Sequence, residues 1–553
     1  MTTAAQRPPR PHQPRKPHAK QAPRPGQARP RNASGQYSSG MARALARLNA
    51  WMDARPLLDY TMVRTIVLVL AGLGVVMVTS SSMTWSALND SSVWAQPLKQ
   101  VIVVAMGLFV FWVALQIPPE RVQKIALILM VISILLLIAV LLPGIGTGRE
   151  EVGSQSWIYI GGFQLQPSEV ARVAICVWGA SILANKDPRR MFDMTNGFMP
   201  FAAVAVVCVV LIAAQGDLGM AVSFCIVVAF ILVFAGISWK FIGIVAGFGV
   251  LLFAGVMAAG GFRSQRFHVY FDALFGRFED TRGVAFQSYQ GFLSLADGSL
   301  FGVGLGQSRA KWFYLPEAKN DFIFAVIGEE LGLWGGALVI ILFTMLLFFG
   351  LRTARLAANQ YQALLAASIT TGIVSQAFIN IGYVIGLLPV TGIQLPMISA
   401  GGTSAVITLG AMGLVASVAR HEPGAVSSMQ NYGRPLFDRL FFLREPSSAE
   451  PRPRSGARPA KKAQPNKRYG TPVTARRNPA PQEERRTERQ PQRQGRGARE
   501  RGRVQPREAF RNASRGDARV GGQRPAARTR YDEPRANREP RNHRNTDDTR
   551  RAG

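Results

Sequence analysis

The middle of the chain is built from runs of about 20 apolar residues, the length an α-helix needs to cross the hydrocarbon core of a bilayer. Ten such runs can be counted, near residues 62–82, 99–117, 122–143, 168–185, 199–215, 218–236, 239–259, 323–350, 361–386 and 401–420. A chain patterned in this way is expected to fold as an all-α polytopic membrane protein of about ten transmembrane helices. Only "QGD" (215–217) separates the fifth run from the sixth, which predicts a tight helical hairpin. The ninth and tenth are joined by "GLLPVTGIQLPMISAGG" (386–402), whose Pro389, Gly392, Pro396, Gly401 and Gly402 forbid a continuous helix.

Charge divides the chain in three. The 553 residues are 48% hydrophobic yet carry a formal net charge of +31, a combination foreign to an ordinary soluble domain. Residues 1–60 contribute +9 and residues 421–553 contribute +18, whereas residues 61–420 hold only +4. Both ends are rich in Arg and Pro and too poor in apolar residues to offset chain entropy. The expected organisation is a disordered basic cytoplasmic N-terminal tail (1–60), a membrane domain (61–422) and a disordered Arg/Pro-rich cytoplasmic C-terminal tail (423–553). Some 60 residues precede the first apolar run and no small-residue cleavage site follows it, so no signal peptide is expected. The three cysteines, Cys176, Cys208 and Cys225, lie inside apolar runs without metal-ligand spacing and read as small hydrophobes.

Basic residues in the short loops set the orientation. With both tails inside, the cytoplasmic loops hold Arg121 and Lys124, then Lys186, Arg189 and Arg190, then Lys240, then Arg352 and Arg355; the short outer loops hold only Lys99 and Arg149. One large extracytoplasmic loop, about 260–322, separates helices 7 and 8. It is basic (Arg263, Arg266, Arg277, Arg282, Arg309, Lys311, Lys319), but long loops translocate largely regardless of charge. Its length and its aromatic residues point to a folded, functional segment.

At the end of that loop "LPEAKNDFIFAVIGEELG" (315–332) places Glu317, Asp321, Glu329 and Glu330 at the mouth of a membrane helix. Charge beside hydrocarbon is costly and marks a functional suspect. Cations and carboxylates meeting at the outer surface suit transfer of a sugar from a lipid diphosphate to a sugar hydroxyl. The leaving diphosphate needs Arg, Lys or a divalent metal, and the attacking hydroxyl needs one general base. A glycosidase would instead need two carboxyl groups at a defined separation and water as acceptor. Asp321, at the loop-to-helix junction, is the candidate base; the competing reading is that it only caps the helix. Glu329 and Glu330 face different directions, so at most one should share a cavity with Asp321, the other pairing with a basic group or reaching the interface. Arg172 either pairs with Glu169 three residues before it or binds an anionic substrate in a cavity. Asp217 is expected to cap or turn the tight hairpin. "GVGLGQS" (302–308) lacks the strand and lysine of a phosphate loop and is no nucleotide site. The Arg-rich tail has almost no aromatic residues and no folded platform, so nucleic acid is not the expected partner.

"GSQSWIYIGGFQLQPSEVARVA" (153–174), "LADGSLFGVGLGQSRAKWFYLPEAKNDFIFAVIGEELG" (295–332) and "NIGYVIGLLPVTGIQLPMISAGGTS" (380–404) resemble the hallmark blocks of the SEDS family (shape, elongation, division and sporulation). The resemblance covers about residues 60–422 and is greatest to the family's division member. It implies a peptidoglycan glycosyltransferase that polymerises lipid II at the outer face of the cytoplasmic membrane, at the division septum. It also implies a class B penicillin-binding protein as crosslinking partner, among other divisome proteins. Asp321, in "KNDFIF", matches the family's essential acidic residue and becomes the expected general base or metal ligand, with Mg2+ or Mn2+ as the expected divalent cation. Trp157, Gln166, Pro167, Ser168, Glu169 and Arg172 match a second family block, and Gly401, Gly402 and Ser404 a third. The substrate-binding or cavity candidates are Arg172, Glu169, Gln166, Ser168, Glu317, Lys319, Arg309 and Lys311. Two departures stand out: Gly216 where the family commonly has Pro, and Lys319-Asn320 where His-Thr commonly precedes the aspartate.

A lipid-linked precursor translocase would depend on Arg172 and Asp217 more than on Asp321, and a non-enzymatic divisome scaffold would use Asp321 only as a cap. Within the family, an elongation-type polymerase would share the same chemistry. The +18 tail is expected to meet acidic protein segments or anionic lipid.

Overall fold

Helices account for most of the described residues. The computed structural model describes residues 40–446 apart from 90–91, 150–152, 162, 191, 239, 241, 244–246, 248–269, 272–285, 310, 312–314 and 316. The tails 1–39 and 447–553, most of the seventh apolar run, and Arg263, Arg266, Arg277 and Arg282 of the outer loop therefore lie outside the described residues.

The helices are α1 (Gly40–Asp53), α2 (Leu58–Asn89), α3 (Ala95–Gln116), α4 (Pro119–Ala139), α5 (Pro167–Leu183), α6 (Phe198–Ala214) and α7 (Leu218–Phe234). There follow α8 (Phe286–Gly298), α9 (Ile323–Leu356), α10 (Gln360–Val384), α11 (Thr403–Arg420), α12 (Pro423–Tyr432) and α13 (Leu436–Leu440). Among the described residues six helices, α2, α3, α4, α9, α10 and α11, are long and apolar enough to cross a membrane. The apolar helices α6 and α7 have 17 residues each. At 1.5 Å per residue that is roughly 25 Å, short of a full hydrocarbon crossing.

The starts of these helices follow from their sequences. Pro119 and Pro167 occupy first-turn positions of α4 and α5, where a missing N–H costs nothing. The side chains of Asp217 and Asn359 accept from the amides of Met220 and Gln362, both at N3, and so cap α7 and α10. Helix α9 is broken at Gly332, whose φ of 68° and ψ of −164° leave its first nine residues as a separate short helix.

α10 lies at the centre: 83% of its most apolar window is buried, against 28% for peripheral α4. A central helix need not be the most apolar one, and α10 carries buried Ser368, Thr370, Thr371, Gln376 and Asn380. α3 and α11 approach closely through small residues: a Cβ on Gly413 would stand 2.7 Å from both Ala114 Cβ and the Phe111 carbonyl oxygen.

Two features differ from the expectation. The fold is not purely helical, because β1 (Gly146–Thr147), β2 (Trp157–Ile160) and β3 (Phe163–Leu165) form an antiparallel sheet of order β1-β2-β3 between α4 and α5. In "WIYIGGFQL" aromatic and β-branched residues flank a two-residue Gly-Gly connection, and Ile160 pairs with Phe163, which is hairpin chemistry. The ordered fold also does not stop at 422. Residues 423–446 form α12, α13 and a return segment, because Asp438 and Leu443 bury themselves against the bundle.

Candidate active site

The connection between α10 and α11 is non-helical from 385 to 402, and it is the element that assembles the site. It clamps the backbone just before α9. The Ala400 amide donates to the Lys319 carbonyl at 3.0 Å, and the Ser399 hydroxyl to the Asn320 carbonyl at 2.7 Å. The Asp321 carbonyl accepts from Asn380 Nδ2 at 2.8 Å and from the Tyr383 hydroxyl at 3.0 Å. Asn380 and Tyr383 also hold the Ile393 carbonyl, both at 2.7 Å, so one pair of side chains ties the connection to the residue before α9. Gln376, Asn380 and Tyr383 are spaced i, i+4, i+7 and share one face of α10. Phe322 packs edge-on against the Tyr383 ring, with centroids 5.8 Å apart.

Three consecutive carbonyls are thus fixed, and Asp321 is half-buried at the mouth of α9. Its Oδ2 faces Gly392, where a Cβ would stand 3.6 Å away. The N-cap position of α9 belongs to Phe322, which has no capping side-chain bond, so Asp321 stands outside the capping position.

The same connection reaches a second polar cluster. Glu169 Oε2 pairs with Arg172 Nη2 at 2.5 Å, and both side chains are buried. Arg172 also donates to the Ser223 hydroxyl at 3.4 Å and lines a small cavity with Cys176, Val227 and Thr408. Gln376 Nε2 spans from Glu169 Oε1, at a long 3.5 Å, to the Gln394 carbonyl at 3.2 Å. Gln166 donates to Asp217 Oδ2 at 3.0 Å. Burial holds the Asp217 carboxyl above the usual carboxylate range, against the pull of the Met220 amide and Gln166. Ser168 is fully buried and its hydroxyl has no partner among the described residues. Buried oxygens of Gln376, Asn380 and Thr391 likewise have no partner among the described residues.

A third cluster closes the loop before the site. Glu329 Oε2 accepts from the Ser308 hydroxyl at 2.7 Å, and its Oε1 from the Arg309 amide at 2.6 Å. Glu330 accepts from the Ser80 hydroxyl at 2.7 Å and pairs with Lys311 at 3.6 Å. Lys311 Nζ also donates to the Gly306 carbonyl. The amides of Val303 and Gly304 take the carbonyls that the break at Gly332 leaves free on Glu329 and Glu330.

The family model of FtsW/RodA/SpoVE cell cycle proteins matches residues 60–423, the span that contains all three clusters. The chain belongs to the FtsW/RodA/SpoVE family. The Mycobacterium tuberculosis protein called "Probable peptidoglycan glycosyltransferase FtsW" is 40% identical over 428 residues, covering 77% of this chain and 80% of that protein. Stage V sporulation protein E of Bacillus subtilis is 37% identical over 361 residues, 64% of this chain and 95% of its own. A solved structure describing coordination of polymerization and crosslinking by a peptidoglycan synthase complex has a TM-score of 0.52 at 22% identity, over 65% of this chain and 97% of that one. At that identity it supports the fold alone.

In this FtsW/RodA/SpoVE fold the expected residues fall into separate places. Gln166, Ser168, Glu169 and Arg172 gather on the first turns of α5 beside Asp217. Lys319 flanks Asp321, while exposed Glu317 closes a turn by accepting from Asn320 Nδ2 at 2.5 Å. Lys311 is buried in its ion pair and the Arg309 side chain is exposed. Glu329 and Glu330 both engage the 303–311 segment, because that segment wraps across the helix and meets two directions at once. Sequence reasoning missed Gln376, Asn380, Tyr383 and Ser399. The first three carried a legible signal, polar side chains at i, i+4, i+7 within a membrane-length helix.

Proposed function

We propose that this chain is a peptidoglycan glycosyltransferase that polymerises lipid II into glycan strands during septal cell-wall synthesis. Three successive carbonyls, at 319, 320 and 321, are held by Ala400, Ser399, Asn380 and Tyr383, and that clamp is the observation that carries the reading. It gives one carboxylate a fixed position, and one well-placed base is what attack by a sugar hydroxyl requires. Asp321 takes the proton of the acceptor hydroxyl as the new glycosidic bond forms. The bond from the donor sugar carbon to the lipid diphosphate breaks, and the diphosphate leaves as an anion. Lys319 and Arg309, on the flanking loop, are the cations we assign to anionic parts of the substrate, whereas Arg172 is buried in its ion pair with Glu169 and holds the second cluster together.

Among the described residues no group of three or more His, Cys, Asp or Glu converges to hold a metal ion. A single carboxylate fits Mg2+ or Mn2+ only in the mode where substrate phosphates and water complete the shell, with Asp321 as the protein ligand. Bound there, such an ion would neutralise charge on the departing diphosphate.

The topology we propose has about ten spans, both termini in the cytoplasm and the 260–322 loop outside. A class B penicillin-binding protein is the proposed crosslinking partner; the solved structure of like fold is described as a complex that coordinates polymerization and crosslinking.

The deciding experiment compares wild type with Asp321→Asn, each co-purified with its crosslinking partner and supplied with purified lipid II. Asn keeps the size of the side chain and cannot accept the proton. Loss of polymer with an intact complex supports the assignment, and undiminished polymer removes Asp321 from the mechanism.

A further inference from the structure

After Arg420 the chain folds back on the bundle. Asp438 is fully buried: its Oδ2 accepts from Arg420 Nε at 2.8 Å and its Oδ1 from the Tyr60 hydroxyl at 2.6 Å. The Arg64 guanidinium stacks over Phe437, 4.1 Å from the ring centroid, and Trp112 Nε1 donates to the Phe441 carbonyl at 2.9 Å. Arg434 Nη1 closes the return segment on the Leu443 carbonyl at 2.8 Å, and Leu443 is buried. These partners sit on the early turns of α2 and the last turns of α3 and α11, so the segment after α12 is stapled to one end of the bundle.

What it turns outward combines large apolar side chains with charged ones, Arg434, Arg439, Arg444 and Glu445. Tyr432, Leu436, Leu440 and Phe442 are 89%, 78%, 72% and 83% exposed, too much large apolar surface to leave in water on so short a segment. Leu436 and Leu440, four residues apart, share a face of α13, while buried Asp438 takes the opposite one. Exposed Arg434, Arg439 and Arg444 are interleaved with them. This row also continues the outer surface of α3: Trp112 stacks on Phe109, itself 61% exposed on a membrane-length helix. Large apolar side chains alternating with arginines, continuous with the exposed apolar surface of a membrane-length helix, are the pattern of a segment lying in the headgroup layer.

We propose that residues 432–444 are an interfacial anchor, with Leu436, Leu440 and Phe442 entering the acyl boundary and Arg439 and Arg444 meeting the phosphates of anionic lipid. The inference rests on α3 crossing the membrane and is independent of glycosyl transfer.

The test uses the full chain in vesicles, carrying a fluorescent thiol label at Leu440→Cys in a Cys225→Ser background, because Cys225 is exposed. Nitroxide-bearing lipids are expected to quench this label, and aqueous iodide to leave it at least about twofold less quenched than the free dye. Adding Arg439→Gln and Arg444→Gln is expected to reduce lipid quenching in vesicles containing anionic lipid and to change nothing in zwitterionic ones. A label quenched by iodide and untouched by lipid nitroxides overturns the proposal, since the segment then lies in water. A label shielded from both quenchers overturns it too, since protein then covers the face.

Discussion

Asn380 Nδ2 donates to the Asp321 carbonyl at 2.8 Å, across 59 residues of chain, and Tyr383 repeats the contact from one turn further along α10 at 3.0 Å. The carboxylate is therefore placed through its own backbone. Tyr383→Phe removes one hydroxyl from two buried carbonyls and leaves Asn380 holding both. Each carbonyl keeps one donor, so the loss of stability is small; the cost falls on placement, and a small misplacement of a reacting group is itself expensive. We expect kcat for lipid II polymerisation to fall roughly tenfold with KM little changed, and Asn380→Ala to fall further. Steady-state kinetics alongside a melting curve separate misplacement from unfolding.

Lys311 is a candidate phosphate ligand by charge and a loop staple by position. Its ammonium lies 3.6 Å from Glu330, and both side chains are buried. Removing one partner of a buried pair typically costs about 3–5 kcal/mol because the other charge stays uncompensated. Lys311→Met should therefore lower the melting temperature strongly, and the double variant Lys311→Met with Glu330→Gln should recover most of the loss. Recovery of stability with normal KM would assign Lys311 to the fold; a KM raised in both variants would assign it to substrate.

The sequence carried the six membrane-length helices, the short hairpin of α6 and α7 and the broken α10–α11 connection, because apolar length and Pro/Gly placement are local signals. It could not carry the clamp. The carbonyls of Lys319, Asn320 and Asp321 have no side-chain identity, and their partners lie 59 to 81 residues away. The break at Gly332 was hidden for a similar reason: a glycine in an apolar run reads as a tolerated helix residue until Val303 and Gly304 are seen taking the freed carbonyls. The packing of residues 423–446 was not legible because composition averages over the whole tail, while a single aspartate, Asp438, is buried against the bundle.

Glu422, between α11 and α12, supplies a pH test. Burial, then the nearby Asp59 carboxylate, push its carboxyl up to about 9 against the opposing pull of Thr353 and Arg352. Its Oε1 has no partner among the described residues. A carboxyl raised on folding contributes stability that is complete below its unfolded value, 4.5, and is lost as pH rises through about 9. Wild type should thus melt at progressively lower temperature across that window. Glu422→Gln should remove much of this slope and exceed wild type at the alkaline end. Parallel slopes for the two proteins would mean that Glu422 is solvated in the membrane-embedded protein.

Gly392 stands where the connection passes Asp321. Its φ of +72° lies in the left-handed region, and a Cβ there would meet Asp321 Oδ2 at 3.6 Å, an ordinary contact. Space is therefore not the obstacle to Gly392→Ala; the backbone is, at about 1–2 kcal/mol for an L-residue. Relaxing that strain shifts the connection that also carries Ile393 and Gln394, and with it the clamp on Asp321. We expect roughly tenfold slower polymerisation, about 1.4 kcal/mol of transition-state stabilisation. Gly433→Ala is a control for backbone strain away from the connection: φ there is +82° with ψ 171°, and a Cβ would meet nothing within 4 Å. Both variants should lose stability, and only Gly392→Ala should lose activity. Equal activity in the two would mean that the connection does not position the carboxylate.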